Sequence, residues 1–231
     1  MEDLLDKYYL KSTSFFEILS RDEANQLKQN IIRKEYAKGE ILFRENSFSK
    51  GVYIVRKGKV KIYQTNIEGK QSIVYIYKKG DYFGYRPLLS DEAHPVSASA
   101  IDQTVISFIP REVFFSLLSK SPFLSKKLLI NLSKEFSVWI NKMTVFSQYG
   151  VKERVALSLL ILSRIYKKEG EDNKLTAIKL NRDDFAGFVG TAKETLVRML
   201  RIFKDEKIIS ARGTQIFILK PKALVSIITN G

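Results

Sequence analysis

The chain has 231 residues, 45% of them hydrophobic, and carries 39 Lys and Arg against 25 Asp and Glu, a net charge of +14 with a pI near 9.7. That length suits one large or two modest globular domains, and the positive charge suits a polyanionic partner, because neutralised phosphates release counterions. The sequence has no cysteine, which excludes disulfides, thiolate chemistry and Cys-ligated zinc or iron–sulfur centres. The charge is denser towards the C-terminus: residues 147–231 hold 16 basic and 9 acidic side chains, and the longer stretch 1–146 holds 23 and 16.

The opening MEDLLDKYYLKSTSFFEIL begins acidic and lacks a basic segment followed by an apolar core, so no signal peptide is expected. No apolar run approaches the roughly 20 residues that span a bilayer. A cytoplasmic protein with no membrane partner is the expectation. Residues 13–31 read as short helices, with Ser20 as an N-cap and Glu23 completing a capping box. From 31 to 109 the chain turns into short β-branched and aromatic runs separated by glycine turns: KGEILFRE, GVYIVRKGKVKIY, QSIVYIY, KKGDYFG and TVISFI. Many short strands at regular spacing predict a sandwich or barrel.

In this order the glycine-marked runs resemble the cyclic-nucleotide-binding-type β-roll of the Crp/Fnr family of bacterial transcription regulators. The resemblance implies a pocket just after Phe83-Gly84. In cyclic-AMP-binding members, that segment supplies a Glu for the ribose and an Arg followed by Ser or Thr for the phosphate. Here the corresponding positions are Tyr85, His94 and Pro95, and proline has no N–H to donate. A buried cyclic phosphate needs a charge-assisted partner, so the expected effector is something other than cyclic AMP, or none. Gly84, Tyr85, Arg86 and His94 are the candidate pocket residues, with Arg86 available either to an anion or to a salt bridge. His94, the sole histidine, lies in a loop beside proline and is expected at the surface, with no second ligand to make a metal site. No cofactor is expected, since the absence of cysteine also removes the cluster by which the Fnr branch holds iron and sulfur.

Ser121-Pro122 opens the next helix, with proline suited to its first turn. Leu129, Leu132, Phe136, Trp139, Met143 and Phe146 recur at intervals of three and four, an a/d stripe. Leu128, Ile130 and Ile140, off that stripe, are expected to pack on the β-roll. The family dimerises through its long helix at this place, so the stripe is the candidate homodimer seam, with Trp139 as its anchor. Residues 147–150 break the pattern as a hinge.

A helix is predicted at 151–166, a polar loop at 167–174 and a short strand at 177–180. LNRDDFAGFVGTAKETLVRMLR follows, with Asn181 as N-cap, Asp183 and Asp184 in the first turn, Gly190 as the turn and Thr191 capping a second helix in a box with Glu194. Leu196, Met199, Leu200 and Phe203 form its buried stripe; Lys193, Glu194, Val197, Arg198 and Arg201 are left outside. Residues 208–219 read as a hairpin turning at Arg212-Gly213, which makes the unit a winged helix-turn-helix. From 181 to 213 the sequence aligns without a gap to Crp-type regulators, VGTAKETLVR being similar to the family's VG-x-SRETV-x-R. That match implies that Lys193, Glu194 and Arg198 read bases while Arg182, Thr195 and Arg212 contact the backbone. Glu194 serves either base reading or capping.

The expected fold class is α+β: a double-stranded, jelly-roll-like β-roll sensor at 1–120, a dimerisation helix at 121–146 and a winged helix-turn-helix at 147–231. The expected function is a sequence-specific regulator that binds double-stranded DNA as a homodimer on a pseudo-palindromic site, with RNA polymerase as a partner if it activates. The alternative is a ligand-sensing module whose winged helix contacts protein. An enzyme is not expected, as no nucleophile or carboxylate is placed near the single histidine.

Overall fold

The computed structural model describes residues 5–10, 14–167 and 175–230. The chain folds as two compact units. One comprises Lys11–Gln64 and Val74–Glu135; the other comprises Met1–Leu10, Thr65–Ile73 and Phe136–Gly231.

The first unit begins with a 3-10 turn, Phe15–Ile18, and helix α1, Arg21–Asn30. The Ser20–Glu23 capping box forms as expected: the Ser20 N–H donates to Glu23 Oε2 at 2.7 Å and the Glu23 N–H to Ser20 Oγ at 3.3 Å. Eight antiparallel strands follow: β1 Ile32–Tyr36, β2 Ile41–Phe43, β3 Gly51–Lys57, β4 Lys59–Thr65, β5 Gln71–Lys78, β6 Tyr82–Phe83, β7 Ser97–Ala100 and β8 Thr104–Pro110. They make two four-stranded sheets, in the orders β1-β8-β3-β6 and β2-β7-β4-β5. The crossed order of the strands is that of a roll rather than a meander. Its core is apolar: Val52, Ile54, Ile109, Tyr82 and Leu88 pack with Phe15, Phe114 and Leu117. Helix α2 spans Tyr85–Ser90 and α3 spans Arg111–Lys120.

Helix α4, Pro122–Gln148, runs 27 residues, about 40 Å. The Ser121 hydroxyl caps it by accepting from the Leu124 N–H at 3.2 Å. The helix shows two stripes. Leu124, Leu128, Asn131, Glu135, Val138 and Val145 are buried. Leu129, Phe136 and Met143 stand 65%, 66% and 71% exposed, with Leu132 and Trp139 half-buried between them. Leu128 packs inward as expected, but Ile130 and Ile140 do not and are exposed. Polar Asn131 and Glu135 take the inward positions because they satisfy one another and Tyr85 by hydrogen bonds, which removes the usual cost of burying them.

In the second unit, α5 (Val151–Tyr166), β9 (Ile178–Lys179), α6 (Arg182–Val189), α7 (Lys193–Asp205), β10 (Ile209–Arg212), β11 (Gln215–Ile218) and α8 (Pro221–Asn230) follow in turn. The three strands pair antiparallel in the order β10-β11-β9, with Arg212 opposite Gln215 at the tip. Helices α6 and α7 pack on each other and on α5, and α8 packs along α5. Most of the predicted loop 167–174 lies outside the described residues. The helix break comes at Tyr149-Gly150 rather than from Ser147, which is still helical. No helix among the described residues is long and apolar enough to cross a membrane.

Candidate nucleic-acid interface

Helix α7 is held by a narrow stripe. Leu196, Leu200 and Phe203 are buried, while Lys193, Glu194, Val197, Arg198 and Arg201 are exposed. The segregation follows from residue spacing: 196, 200 and 203 return to one face at 3.6 residues per turn, so the charged positions are forced onto the other. The turn before it is built as the sequence indicates. The Asn181 side chain caps α6 by accepting from the Asp184 N–H at 2.7 Å. Gly190 closes the helix in the left-handed region at φ 71°. A Cβ there would lie 2.5 Å from the Phe146 ring, so position 190 needs glycine for both backbone and space.

Thr191 does not cap α7. Its N–H donates back to the Ala186 carbonyl at 3.1 Å, alongside the Gly190 N–H at 2.9 Å, and its side chain is buried. The residue is thus used up in terminating α6. The N-cap of α7 falls on Ala192, which offers no side-chain acceptor. The capping box with Glu194 is absent, and the Glu194 carboxylate is left pointing to solvent without an intramolecular partner among the described residues. Of the two roles open to Glu194, capping is not made, and the side chain stays exposed.

Lys193 is not free. Its ammonium lies 2.9 Å from Asp183 Oδ1 in α6, across the turn between the helices. The pair is exposed and contributes little to stability, but it aims Lys193. Any phosphate or base that recruits Lys193 must compete with Asp183. Asp183→Asn is therefore expected to tighten DNA binding up to about fivefold, the equivalent of one surface ion pair; weaker binding in a titration would contradict this role.

Arg198 and the wing-tip Arg212 are exposed, and Thr195 is half-buried. Arg182 departs from the expectation of an exposed backbone contact. It is half-buried, its Nη1 has no hydrogen-bond partner among the described residues, and burial lowers its pKa. Arg154, on α5, donates from Nη1 to the Gly190 carbonyl at 3.1 Å, with its guanidinium 5.9 Å from the Phe146 ring. Phe146, expected in the dimer seam, thus rests on the helix-turn-helix. Gly187 of α6 has no room for a side chain, since a Cβ would sit 2.5 Å from the carbonyl of Gln71, where the β4–β5 turn enters β5. That turn and the start of α7 wall a cavity of about 540 Å³ lined by Gly69, Lys70, Gln71, Asp183, Lys193 and Glu194.

The roll residues named for an effector are arranged differently from a phosphate cradle. Tyr85 is 1% exposed and its hydroxyl accepts from Asn131 Nδ2 at 3.2 Å, the same amide donating to Glu135 Oε1 at 3.1 Å. Burial pushes the Glu135 carboxyl up, and the Arg86 guanidinium 4.0 Å away partly offsets this. Arg86 is thus engaged with a carboxylate. His94 is not at the surface: it is 2% exposed and stacks on Phe43 at 3.8 Å between ring centroids. Phe43 in turn packs against Tyr53 and Phe83, and Phe83 stacks on Tyr77. This aromatic series fills the roll with the protein's own rings. A tyrosine stands at the ribose-binding position, and a neutral imidazole followed by a proline where a cyclic phosphate requires a cation and a donor, so these residues do not fit that ligand. Among the described residues no three His, Cys, Asp or Glu side chains gather as a metal site.

Burial drives the His94 pKa down to about 4. The unfolded chain takes up this proton near pH 6.5, and the fold refuses it until about pH 4. The stability tied to neutral His94 is therefore present above pH 6.5 and lost as pH falls towards 4, by about 3 kcal/mol in all. His94→Phe should flatten that limb of a thermal-melt series against pH; an unchanged slope would assign it to other groups.

A basic recognition helix on a glycine turn, flanked by an arginine-tipped hairpin and preceded by a β-roll and a long helix, defines a DNA-binding regulator with a sensor-type roll. The comparisons agree. Residues 33–121 match the cyclic nucleotide-binding domain and residues 153–227 the Crp-like helix-turn-helix domain. The chain is 28% identical over 210 residues to the fumarate and nitrate reduction regulatory protein of Vibrio cholerae serotype O1, covering 90% of this chain and 84% of that protein. It is 29% identical to the transcriptional activator protein Anr of Pseudomonas protegens, over 90% and 86%. The solved structure of FixK2 from Bradyrhizobium japonicum is similar with a TM-score of 0.77 at 24% identity, over 85% of this chain and 96% of that one. The chain belongs to the Crp/Fnr family: it is a DNA-binding transcription regulator and not an enzyme. Members of this family bind DNA and act as dimers.

Proposed function

We propose that this chain binds a pseudo-palindromic DNA site as a homodimer, with α7 of each protomer in successive major grooves about 34 Å apart. The observation that carries this reading is the exposed face of α7, where, among the described residues, Glu194 and Arg198 are unpartnered and Lys193 is held by a surface pair with Asp183. Arg198 is suited to guanine O6 and N7, Glu194 to cytosine N4, and Lys193 to a less sharply specified acceptor, as it lacks a guanidinium fork. Thr195 and Arg212 set orientation on the phosphates. Arg182 joins them by swinging its enclosed Nη1 outward to a phosphate oxygen. The stripe of exposed Leu129, Phe136 and Met143 with half-buried Leu132 and Trp139 supports the seam between protomers, with Phe146 at its end contributing chiefly to the turn beneath α7.

The roll biases the placement of the two recognition helices, under an effector other than cyclic AMP or under none. An activating role would add RNA polymerase as a partner. Domain limits at 1–120, 121–146 and 147–231 describe the division of labour between sensing, pairing and reading. A salt titration of binding to duplex DNA tests the reading. Phosphate neutralisation predicts a log–log slope of about −0.9 for each contact made. A slope near zero would favour a winged helix that contacts protein instead.

A further inference from the structure

The outward side of α7 carries one residue that the base-reading set leaves out. Val197 is 47% exposed, on a helix whose packing is already made by Leu196, Leu200 and Phe203. At about 100° per residue, it falls about 40° from Lys193 and about 60° from Glu194, between the two and one turn further along. Arg198 adjoins it and Arg201 lies one turn beyond; all four charged neighbours are exposed. A solvated helix position is filled at lower cost by Ala, Lys or Glu, because a β-branched side chain loses rotamer freedom there. Its place at the centre of the reading face, rather than its exposure alone, calls for an apolar counterpart on the DNA.

We propose that Val197 reads the C5-methyl group of a thymine in the major groove, an inference that rests on α7 being the helix that enters DNA. Thymine is the one base that presents an apolar group there; cytosine offers its N4 donor, guanine O6 and N7, adenine N7 and N6. Valine's side chain neither donates nor accepts. A cytosine, guanine or adenine edge pressed against it loses water without gaining a partner. The thymine methyl loses nothing and buries apolar surface. Val197 thus selects by rejection as much as by attraction. The division of labour follows from the chemistry: Glu194 and Arg198 read a G·C pair through hydrogen bonds, and Val197 specifies a neighbouring A·T pair through a methyl contact.

Duplexes carrying the site enriched by this protein, with each thymine replaced in turn by deoxyuridine, isolate the contact. The exchange deletes the methyl group and leaves every base-pair hydrogen bond intact. At one thymine per half-site it is expected to weaken binding about fourfold, the equivalent of one buried methylene. Val197→Ala protein should lose most of that dependence and keep its preference at the pair read by Arg198. Deoxyuridine without effect at every thymine, or with an equal effect on Val197→Ala protein, would overturn the assignment. Failure to enrich any site would instead overturn the DNA-reading proposal beneath it.

Discussion

Arg198→Ala is expected to erase the preference at one base pair in each half-site, at a cost of about 1–3 kcal/mol per half-site in favour of the matched base. Arg198 is exposed on α7 and makes no hydrogen bond or ion pair among the described residues. Its loss therefore leaves no buried group unpaired, and the fold should be unaffected. The defect is one of discrimination: binding to the matched site weakens, binding to a site mutated at that pair does not, and the salt slope of non-specific binding changes little. Titration of the variant against a series of singly mutated sites separates these outcomes. A uniform loss across all sites would make Arg198 a phosphate contact. Its neighbour Arg201, one turn further along the helix, would then be the candidate for the fork.

A larger effect is expected from charge on the exposed stripe of α4. Leu129 and Phe136 stand 65% and 66% exposed, so glutamate at both positions is compatible with a folded protomer. In a dimer, each carboxylate would be buried against its own counterpart across a two-fold axis, which combines desolvation with like-charge repulsion. The double variant Leu129→Glu/Phe136→Glu should be monomeric by light scattering with an unchanged circular dichroism spectrum. A dimer engages its second half-site at high effective concentration, and a monomer forgoes that, so affinity for a full site should fall by about 10²–10⁴-fold. The salt slope should approximately halve, because half the phosphates are neutralised. A variant that stays dimeric would move the protomer contact off this stripe.

The helix-turn-helix could be read from sequence because its signals are local. Asn181, Gly190 and the spacing of Leu196, Leu200 and Phe203 each act within a turn or two, and each was found where the pattern put it. The error at Thr191 was also local. A Ser or Thr three residues before a Glu signals a capping box, but the competing signal from Gly190 ran on by one residue, and the Thr191 N–H went to the preceding helix. The exposed stripe on α4 was visible because it is apolar. The buried stripe beside it was not, since its central members are Asn131 and Glu135, which become tolerable inside only through Tyr85, a partner 46 residues away from Asn131 in sequence.

His94 failed for the same reason. Nothing near it in the chain announces Phe43, the ring that encloses it. Strand β7, Ser97–Ala100, carries neither β-branched nor aromatic residues and gave no strand signal. It is a strand because it is sandwiched between β2 and β4, in a buried slot that small side chains fill. The departures at Tyr85, His94 and Pro95 from the cyclic-AMP-binding pattern were visible in the sequence itself. That those positions hold a packed aromatic interior and a Tyr85–Asn131–Glu135–Arg86 chain of contacts instead required the fold.

The central claim, that two copies of α7 read a two-fold DNA site, is tested most directly by selecting binding sites from random duplexes with the purified full chain and no added effector. Enrichment of inverted half-sites whose centres lie one helical turn, about 34 Å, apart is the predicted result. Sequences no more frequent than in the starting pool, or a single motif without two-fold symmetry, would contradict it.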